Sequence, residues 1–230
     1  MRTVLLQTLA DAVLEVERPH PVRVAVDGCS AAGKTTLADE LAVVLRARTD
    51  REIIRADIDY FKLAVELRTA YPVDSAESYY LDMWDLDAIR SRLLVPLGPG
   101  GSRRYTTGLR DSSAREVLDV PEATAADDAV LIADGAFLQR PELDAHWDLR
   151  IFVHIGFDEV LRRGTARDQQ WMDSAAAAEH RYRTRYIPGE RMYVDQVRPQ
   201  DRAQLVVDNE DFANPTITRQ PKGQPDRRAR

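Results

Sequence analysis

Cysteine is almost missing from this chain. Cys29 stands alone among 230 residues, so no internal disulfide can form. A reducing cytoplasm is compatible with that usage, and it is the location we expect. No apolar run approaches the ~20 residues of a membrane span, which argues against a membrane partner. An excess of positive charge is also lacking. There are 38 acidic against 32 basic residues, a net charge of −6, whereas a bulk nucleic-acid binder shows a basic footprint. The four histidines, His20, His146, His154 and His180, have no metal-ligand spacing; His154 lies in an apolar run and reads as structural. No internal repeat is visible. What remains is ordinary for a soluble globular protein: 44% hydrophobic and 30% charged residues in a length that suits one large or two small domains. Nothing in the sequence speaks to oligomeric state.

Against this plain background one stretch stands out. Gly28-Cys29-Ser30-Ala31-Ala32-Gly33-Lys34-Thr35 fits G-x-x-x-x-G-K-[ST], the phosphate-binding loop. Val22-Arg23-Val24-Ala25-Val26-Asp27 runs into it as a buried strand, and Thr36 opens a segment with apolar residues at helical spacing. The glycines let backbone N–H groups turn around a phosphate, and the new helix adds its N-terminal partial charge. The nucleotide-binding set is therefore Gly28, Cys29, Ser30, Ala31, Ala32, Gly33, Lys34, Thr35 and Thr36. Lys34 is placed to reach the β- and γ-phosphates, and the Thr35 hydroxyl to ligate Mg²⁺. Cys29 contributes its N–H, while a helix N-terminus would lower its thiol pKa.

The flanking pattern alternates strands and helices. The first fifteen residues read as an amphipathic helix packed on the domain, not a signal peptide. Further strands are expected at Glu52-Ile53-Ile54-Arg55-Ala56, Ala129-Val130-Leu131-Ile132-Ala133, Leu149-Arg150-Ile151-Phe152-Val153-His154-Ile155 and Gln204-Leu205-Val206-Val207-Asp208-Asn209. Asp85 is a cap for a helix running to about Val95, broken by Pro96-Leu97-Gly98-Pro99-Gly100-Gly101. Residues 103–107 and 115–120 read as a short hairpin. Helices are expected from Asp158 and over 175–186. After Pro215 the chain turns polar and basic, which predicts a disordered tail over 217–230 behind a domain of 1–216. Such alternation indicates a parallel sheet covered on both faces, with ligands beyond the strands' carboxyl ends. Asp27, Asp57 and Asp134 end three strands, so their loops should open on one crevice.

Phosphoryl transfer needs a cradle, a metal, charge neutralisation and a group that orients the nucleophile. Asp134 ends an apolar strand and is a candidate to hold Mg²⁺; the bland reading is a turn Asp before Gly135. Asp59 is a candidate base for a substrate hydroxyl. Asp57 is its rival, and either could instead be a helix cap. Arg162, Arg163 and Arg167 could meet phosphoryl charge, and Arg181, Arg183 and Arg185 form a second cluster; both could equally be solvated faces. Tyr79, Tyr80, Trp84 and Tyr105 could stack on a flat substrate or belong to the core.

With these residues placed, 22–215 resembles the uridine kinase-like branch of the P-loop kinases. The loop and Thr36 are close to that family's version. Asp59-Tyr60-Phe61 resembles its Asp-x-Phe, whose Asp is the catalytic base, which favours Asp59 over Asp57. Val130-Leu131-Ile132-Ala133-Asp134-Gly135 resembles its strand ending in Glu-Gly or Asp-Gly. Arg162-Arg163 with Arg167-Asp168 resembles its R-R…R-D lid over ATP, here about 162–186. Tyr186-Ile187-Pro188-Gly189 and Val206-Val207-Asp208-Asn209 resemble C-terminal pieces of bacterial proteins labelled uridine kinase. The resemblance implies an α/β P-loop fold: a five-stranded parallel sheet flanked by helices, with a lid and a substrate-binding insertion at about 71–120. It also implies ATP and Mg²⁺. Where the family has Tyr-Asp-Phe-x-x-His, this chain has Tyr105-Thr106-Thr107-Gly108-Leu109-Arg110. An aromatic wall is lost and a guanidinium gained, which suggests a different or more anionic acceptor.

The expectation is thus an ATP-dependent kinase acting on a hydroxyl of a small molecule, a nucleoside first, otherwise a sugar, a vitamin or a phosphorylated acceptor. Asp59, Lys34, Arg163 and Arg167 would be catalytic, Thr35 and Asp134 would hold the metal, and Asp59, Tyr80, Tyr105 and Arg110 would face the acceptor. The rivals are a nucleotide-dependent regulatory ATPase and a nucleotide-binding module without turnover.

Overall fold

The computed structural model describes residues 2–219. In chain order, α1 (Arg2–Leu14) precedes β1 (Val22–Gly28), α2 (Lys34–Arg46) and β2 (Ile53–Asp57). Then come α3 (Ala76–Leu81), α4 (Leu86–Ile89), β3 (Arg104–Tyr105), β4 (Ala123–Thr124), β5 (Val130–Gly135) and α5 (Pro141–Asp144). β6 (Leu149–His154), α6 (Phe157–Asp168), α7 (Ala175–Arg181), α8 (Ile187–Val197), α9 (Pro199–Arg202), β7 (Leu205–Asp208) and β8 (Thr216–Arg219) complete it. π-helical turns follow α4 (Arg90–Leu94) and join α7 to α8 (Tyr182–Tyr186).

The central sheet runs β2-β5-β1-β6-β7-β8. Its first five strands are parallel, as expected for buried runs of Val, Ile, Leu and Ala. β1 and β5 are buried at every position. The sixth strand corrects the sequence reading. β8 pairs antiparallel with β7 and lies inside the segment read as the start of a tail. Its alternation, Thr216-Ile217-Thr218-Arg219, half-buries Ile217 and exposes the rest, the signature of an edge strand with one dry face. The remainder of the expected tail, 220–230, lies outside the described residues.

One sheet face packs on α1, α2 and α6 through Leu5, Leu9, Val13, Leu37, Leu41, Leu45 and Val160. The other packs on α3, α4 and α8 through Tyr79, Tyr80, Ile89, Tyr193 and Val197. The 71–120 segment departs from the simple hairpin expected. β3 pairs with β4, not with residues 115–120, which fold back on 109–111 through an Arg110–Val117 bridge, the Leu118 N–H to the Leu109 carbonyl at 2.9 Å and the Asp111 N–H to the Glu116 carbonyl at 3.0 Å. Asp85 does cap α4, accepting from the Ala88 N–H at 2.8 Å.

The register puts the carboxyl ends of β1, β5 and β2 level. Val26 pairs with Asp134, and Asp134 with Asp57. Asp27 does not open on that crevice. It is buried and accepts from the N–H groups of Gly28 (2.8 Å) and Leu138 (3.3 Å), from Gln139 Nε2 (3.0 Å) and from the Tyr193 hydroxyl. It ties β1 to α8 and to the loop after β5.

Candidate active site

The phosphate-loop segment enters α2 through Gly33, whose φ of 89° favours glycine. A Cβ there would lie 2.8 Å from Asn209 Nδ2. That amide instead donates to the Ala32 carbonyl at 2.7 Å, so the loop after β7 braces the loop after β1. Lys34 Nζ donates to the Cys29 carbonyl at 2.7 Å, folding back across the loop. Cys29 is buried, and that burial pushes its thiol well above the ordinary range. The lowering expected from the helix N-terminus is overridden.

Thr35 Oγ1 donates to Asp134 Oδ2 at 2.6 Å, and Arg55 Nη2 donates to Asp134 Oδ1 at 2.7 Å. Asp134 is 1% exposed. The hydroxyl and the carboxylate form a hard oxygen pair of the kind Mg²⁺ takes, with the rest of its shell left to phosphate and water. Among the described residues no group of three or more His, Cys, Asp or Glu could hold a metal by itself. Arg55, on β2, was not anticipated from sequence; a lone arginine in an apolar strand was the available signal.

Asp57 and Asp59 separate cleanly. Asp57 Oδ1 accepts from the Asp59 N–H at 2.8 Å and caps the turn Ile58–Phe61, the alternative left open from sequence. Burial, then the charges of Asp59 and Asp134, push the Asp57 carboxyl up to about 7. The Asp59 side chain is 41% exposed and lies 3.2 Å from Lys62 Nζ. It is half-exposed and paired with Lys62, and Lys34 and Asp134 act on its neighbour Asp57.

Glu190 was missed from sequence. It is wholly buried on α8, and its Oε1 accepts from the Ser30 N–H at 2.6 Å and from the Tyr79 hydroxyl at 3.3 Å. Tyr79 also reaches Ser30 Oγ at 3.0 Å. Tyr79, and not Tyr80, is therefore the aromatic at the loop. Tyr80 is 3% exposed, its ring packed on Phe137 and Tyr193, so the core reading of that residue holds.

Tyr105 is also displaced from the expected place. It is buried in β3, and Glu52, just before β2 begins and at the opposite end of that strand from Asp57, acts on its hydroxyl. The chain then returns: the Arg110 N–H donates to the Tyr60 carbonyl at 3.0 Å, next to Asp59. Of the two residues taken from the family's acceptor motif, only Arg110 comes near the crevice.

The lid arginines are held by their own helix region and, for Arg163, by the loop after β7. Arg163 binds Glu159 and donates from Nη2 to the carbonyls of Asn209 (2.9 Å) and Glu210 (2.7 Å). Arg167 holds Asp168 at 2.6 Å and donates to the Tyr182 hydroxyl at 3.2 Å. Arg162 pairs with Glu159 on an exposed face. None of these contacts is with the phosphate loop or Asp59.

No protein-family model matches the chain, and no curated protein sequence matches it significantly. Solved structures do. A possible uridine kinase from Bacillus stearothermophilus superposes with a TM-score of 0.68 at 19% identity, covering 87% of this chain and 96% of that one. A structure from Silicibacter sp. TM1040, provisionally named a fructose transport system kinase, gives 0.69 at 23%, covering 83% and 94%. D-glycerate 3-kinase from Cryptococcus neoformans var. grubii gives 0.51 at 12%, covering 80% and 87%. The likeness is one of architecture: this chain has the α/β fold of these uridine kinase-like and other P-loop kinases.

Proposed function

We propose that the chain is a Mg²⁺- and ATP-dependent phosphotransferase that moves the γ-phosphoryl group to a hydroxyl of a small molecule. One observation carries this reading: a phosphate loop, a Thr35–Asp134 oxygen pair and the half-exposed Asp59 carboxylate stand together at the carboxyl ends of β1, β5 and β2. Lys34 and the loop amides would hold the phosphates. Thr35 and Asp134 would hold Mg²⁺, which supplies charge neutralisation there. Asp59 would take the proton as the acceptor oxygen bonds to the γ-phosphorus. The bond to the β-phosphate oxygen breaks and ADP leaves. Arg163 and Arg167 would serve only after exchanging their present partners, a lid movement of the kind such enzymes use.

The fold and these parts are shared by kinases of several acceptors. A nucleoside remains the acceptor suggested by the resemblance, and Tyr105, taken from the family's acceptor motif, is buried in β3. We place the enzyme in the cytoplasm, acting on a metabolite and not on nucleic acid or membrane. Product analysis tests the proposal. Incubation with ATP, Mg²⁺ and panels of nucleosides, sugars, vitamins and hydroxy acids should yield a phosphorylated small molecule. Release of ADP and phosphate alone, with every panel, would point to a regulatory ATPase instead. Lys34→Ala should remove most of the activity.

A further inference from the structure

Among the described residues, Arg185 lacks what a buried charge needs. Arg185 sits in the π-helical turn between α7 and α8 and is 3% exposed. Its Nε and Nη2 have no hydrogen-bond partner among the described residues. Aromatic faces approach it, with ring centres of Tyr79 at 6.0 Å and Tyr186 at 5.8 Å from the guanidinium carbon, and Asp74 acts on it only as a more distant charge. The carboxylates of that region are engaged or in solvent. Asp74 pairs with Arg181 at 3.3 Å and is itself 82% exposed, and Asp82 accepts from the Ala70 N–H.

More positive charge surrounds it. Arg68 is 7% exposed and donates Nε and Nη2 to the Leu63 carbonyl at 2.8 and 2.6 Å. Burial, then Arg181, holds Arg185 below the ordinary guanidinium range; burial, then Arg185, does the same to Arg68. A buried guanidinium with unmet donors beside further cations is among the costliest arrangements a fold can keep. Such an unsatisfied group calls for a specific account, and an absent anion supplies one.

The location gives that anion a role. Tyr79 lies between Arg185 and the phosphate loop, touching Arg185 with its face and Ser30 Oγ and Glu190 with its hydroxyl. Asp59 acts on the same tyrosine. A molecule anchored on Arg185 is thus one aromatic ring away from the transferred group.

We infer that Arg185, with Arg68 and Arg181 beside it, receives an anionic group of the acceptor, so that the molecule phosphorylated is an alcohol bearing a carboxylate or a phosphate. The role as acceptor rests on the phosphotransferase reading; the binding of an anion does not. The transfer balances as before: the acceptor's free hydroxyl loses its proton to Asp59 and gains the phosphoryl group, and the anchoring anion is unchanged.

The test uses thermal unfolding of the full chain in a Lys34→Ala background, which weakens anion binding at the phosphate loop. Glycerol 3-phosphate and D-glycerate are the anionic probes, and glycerol is the neutral match. At saturation an anionic probe should raise the Tm by about 5–10 °C. Phosphate-bearing and carboxylate-bearing acceptors are told apart by which probe does so, and glycerol should do nothing. Adding Arg185→Met should abolish the shift, and Arg185→Lys should weaken binding at least ~10-fold, because an ammonium cannot reproduce the guanidinium fork. Without ligand, Arg185→Met should melt no lower than its parent, since an apolar chain replaces an unpaired charge. If that variant does not fold, Arg185→Lys decides: binding as tight as its parent's overturns the inference. So does an undiminished shift in Arg185→Met, or the absence of any shift with both anionic probes. Loss of the shift in Arg185→Met, together with only ADP and phosphate as products of the wild type, would keep the anion site and remove the phosphotransferase. Phosphorylation of neutral acceptors, untouched by Arg185→Met, would do the reverse.

Discussion

Thr35 Oγ1 and Asp134 Oδ2 stand 2.6 Å apart, joining the first turn of α2 to the end of β5 across 99 positions of sequence. The second oxygen of Asp134 is held by Arg55. The carboxylate is therefore aimed before any ligand arrives, which is what an electrostatic site requires.

Asp134→Asn keeps an amide oxygen for Thr35 but turns an NH2 toward Arg55 Nη2, so thermal unfolding should show some loss of stability alongside the kinetic effect. The variant should cut turnover by about 10²–10³-fold, in line with loss of one preorganised electrostatic partner, and raise the Mg²⁺ concentration needed for half-activity. Steady-state kinetics across a Mg²⁺ titration checks this. An unchanged Mg²⁺ requirement would remove Asp134 from the metal site.

Asp59→Asn should lower kcat by ~10²–10⁴-fold, the range for a lost general base, while ATP affinity is kept. Asp57→Asn should be far milder, because an asparagine oxygen can still cap the Asp59 N–H. Measuring kcat and ATP binding in both variants separates the two carboxylates. A larger fall in Asp57→Asn than in Asp59→Asn would reverse their assignment.

Stability should depend on pH through Asp57, whose carboxyl rises from 3.8 to about 7 on folding. Between those values the folded chain holds a proton that the unfolded chain has released. This contribution to stability is therefore fully present below the unfolded pKa and is lost as pH rises through the folded one. Urea unfolding between pH 4 and 8 should show that decline, and Asp57→Asn should flatten it. Parallel curves for the two proteins would refute the assignment.

Gly164 lies where α6 meets the Tyr182 ring, and a Cβ there would come within 2.1 Å of Tyr182 Cζ. The Tyr182 hydroxyl donates to the buried Asp168 at 2.7 Å, so the ring is not free to retreat. Gly164→Ala should cost about 1–3 kcal/mol, as overpacking does, and lower the Tm by roughly 2–10 °C. Calorimetry measures it, and a Tm equal to the wild type's would show that the lid region repacks freely.

The chain's own order determined the five parallel strands, the phosphate loop and the acids at the strand ends. Each depends on near neighbours: β-branched runs, glycines at fixed offsets, an Asp closing an apolar segment. The tertiary structure alone decided which of these residues meet. Glu190 reaches Ser30 across 160 positions and Arg55 reaches Asp134 across 79, and no local pattern marks either pair. Tyr80 and Tyr105 had the right chemistry for a substrate wall, yet burial turned one into the core and the sheet's length carried the other to its far end. From sequence Arg185 was one of an arginine cluster that could meet phosphoryl charge or form a solvated face. Only packing against Tyr79 and Tyr186 strips it of water, and a charge becomes a binding group when its surroundings withhold every other partner.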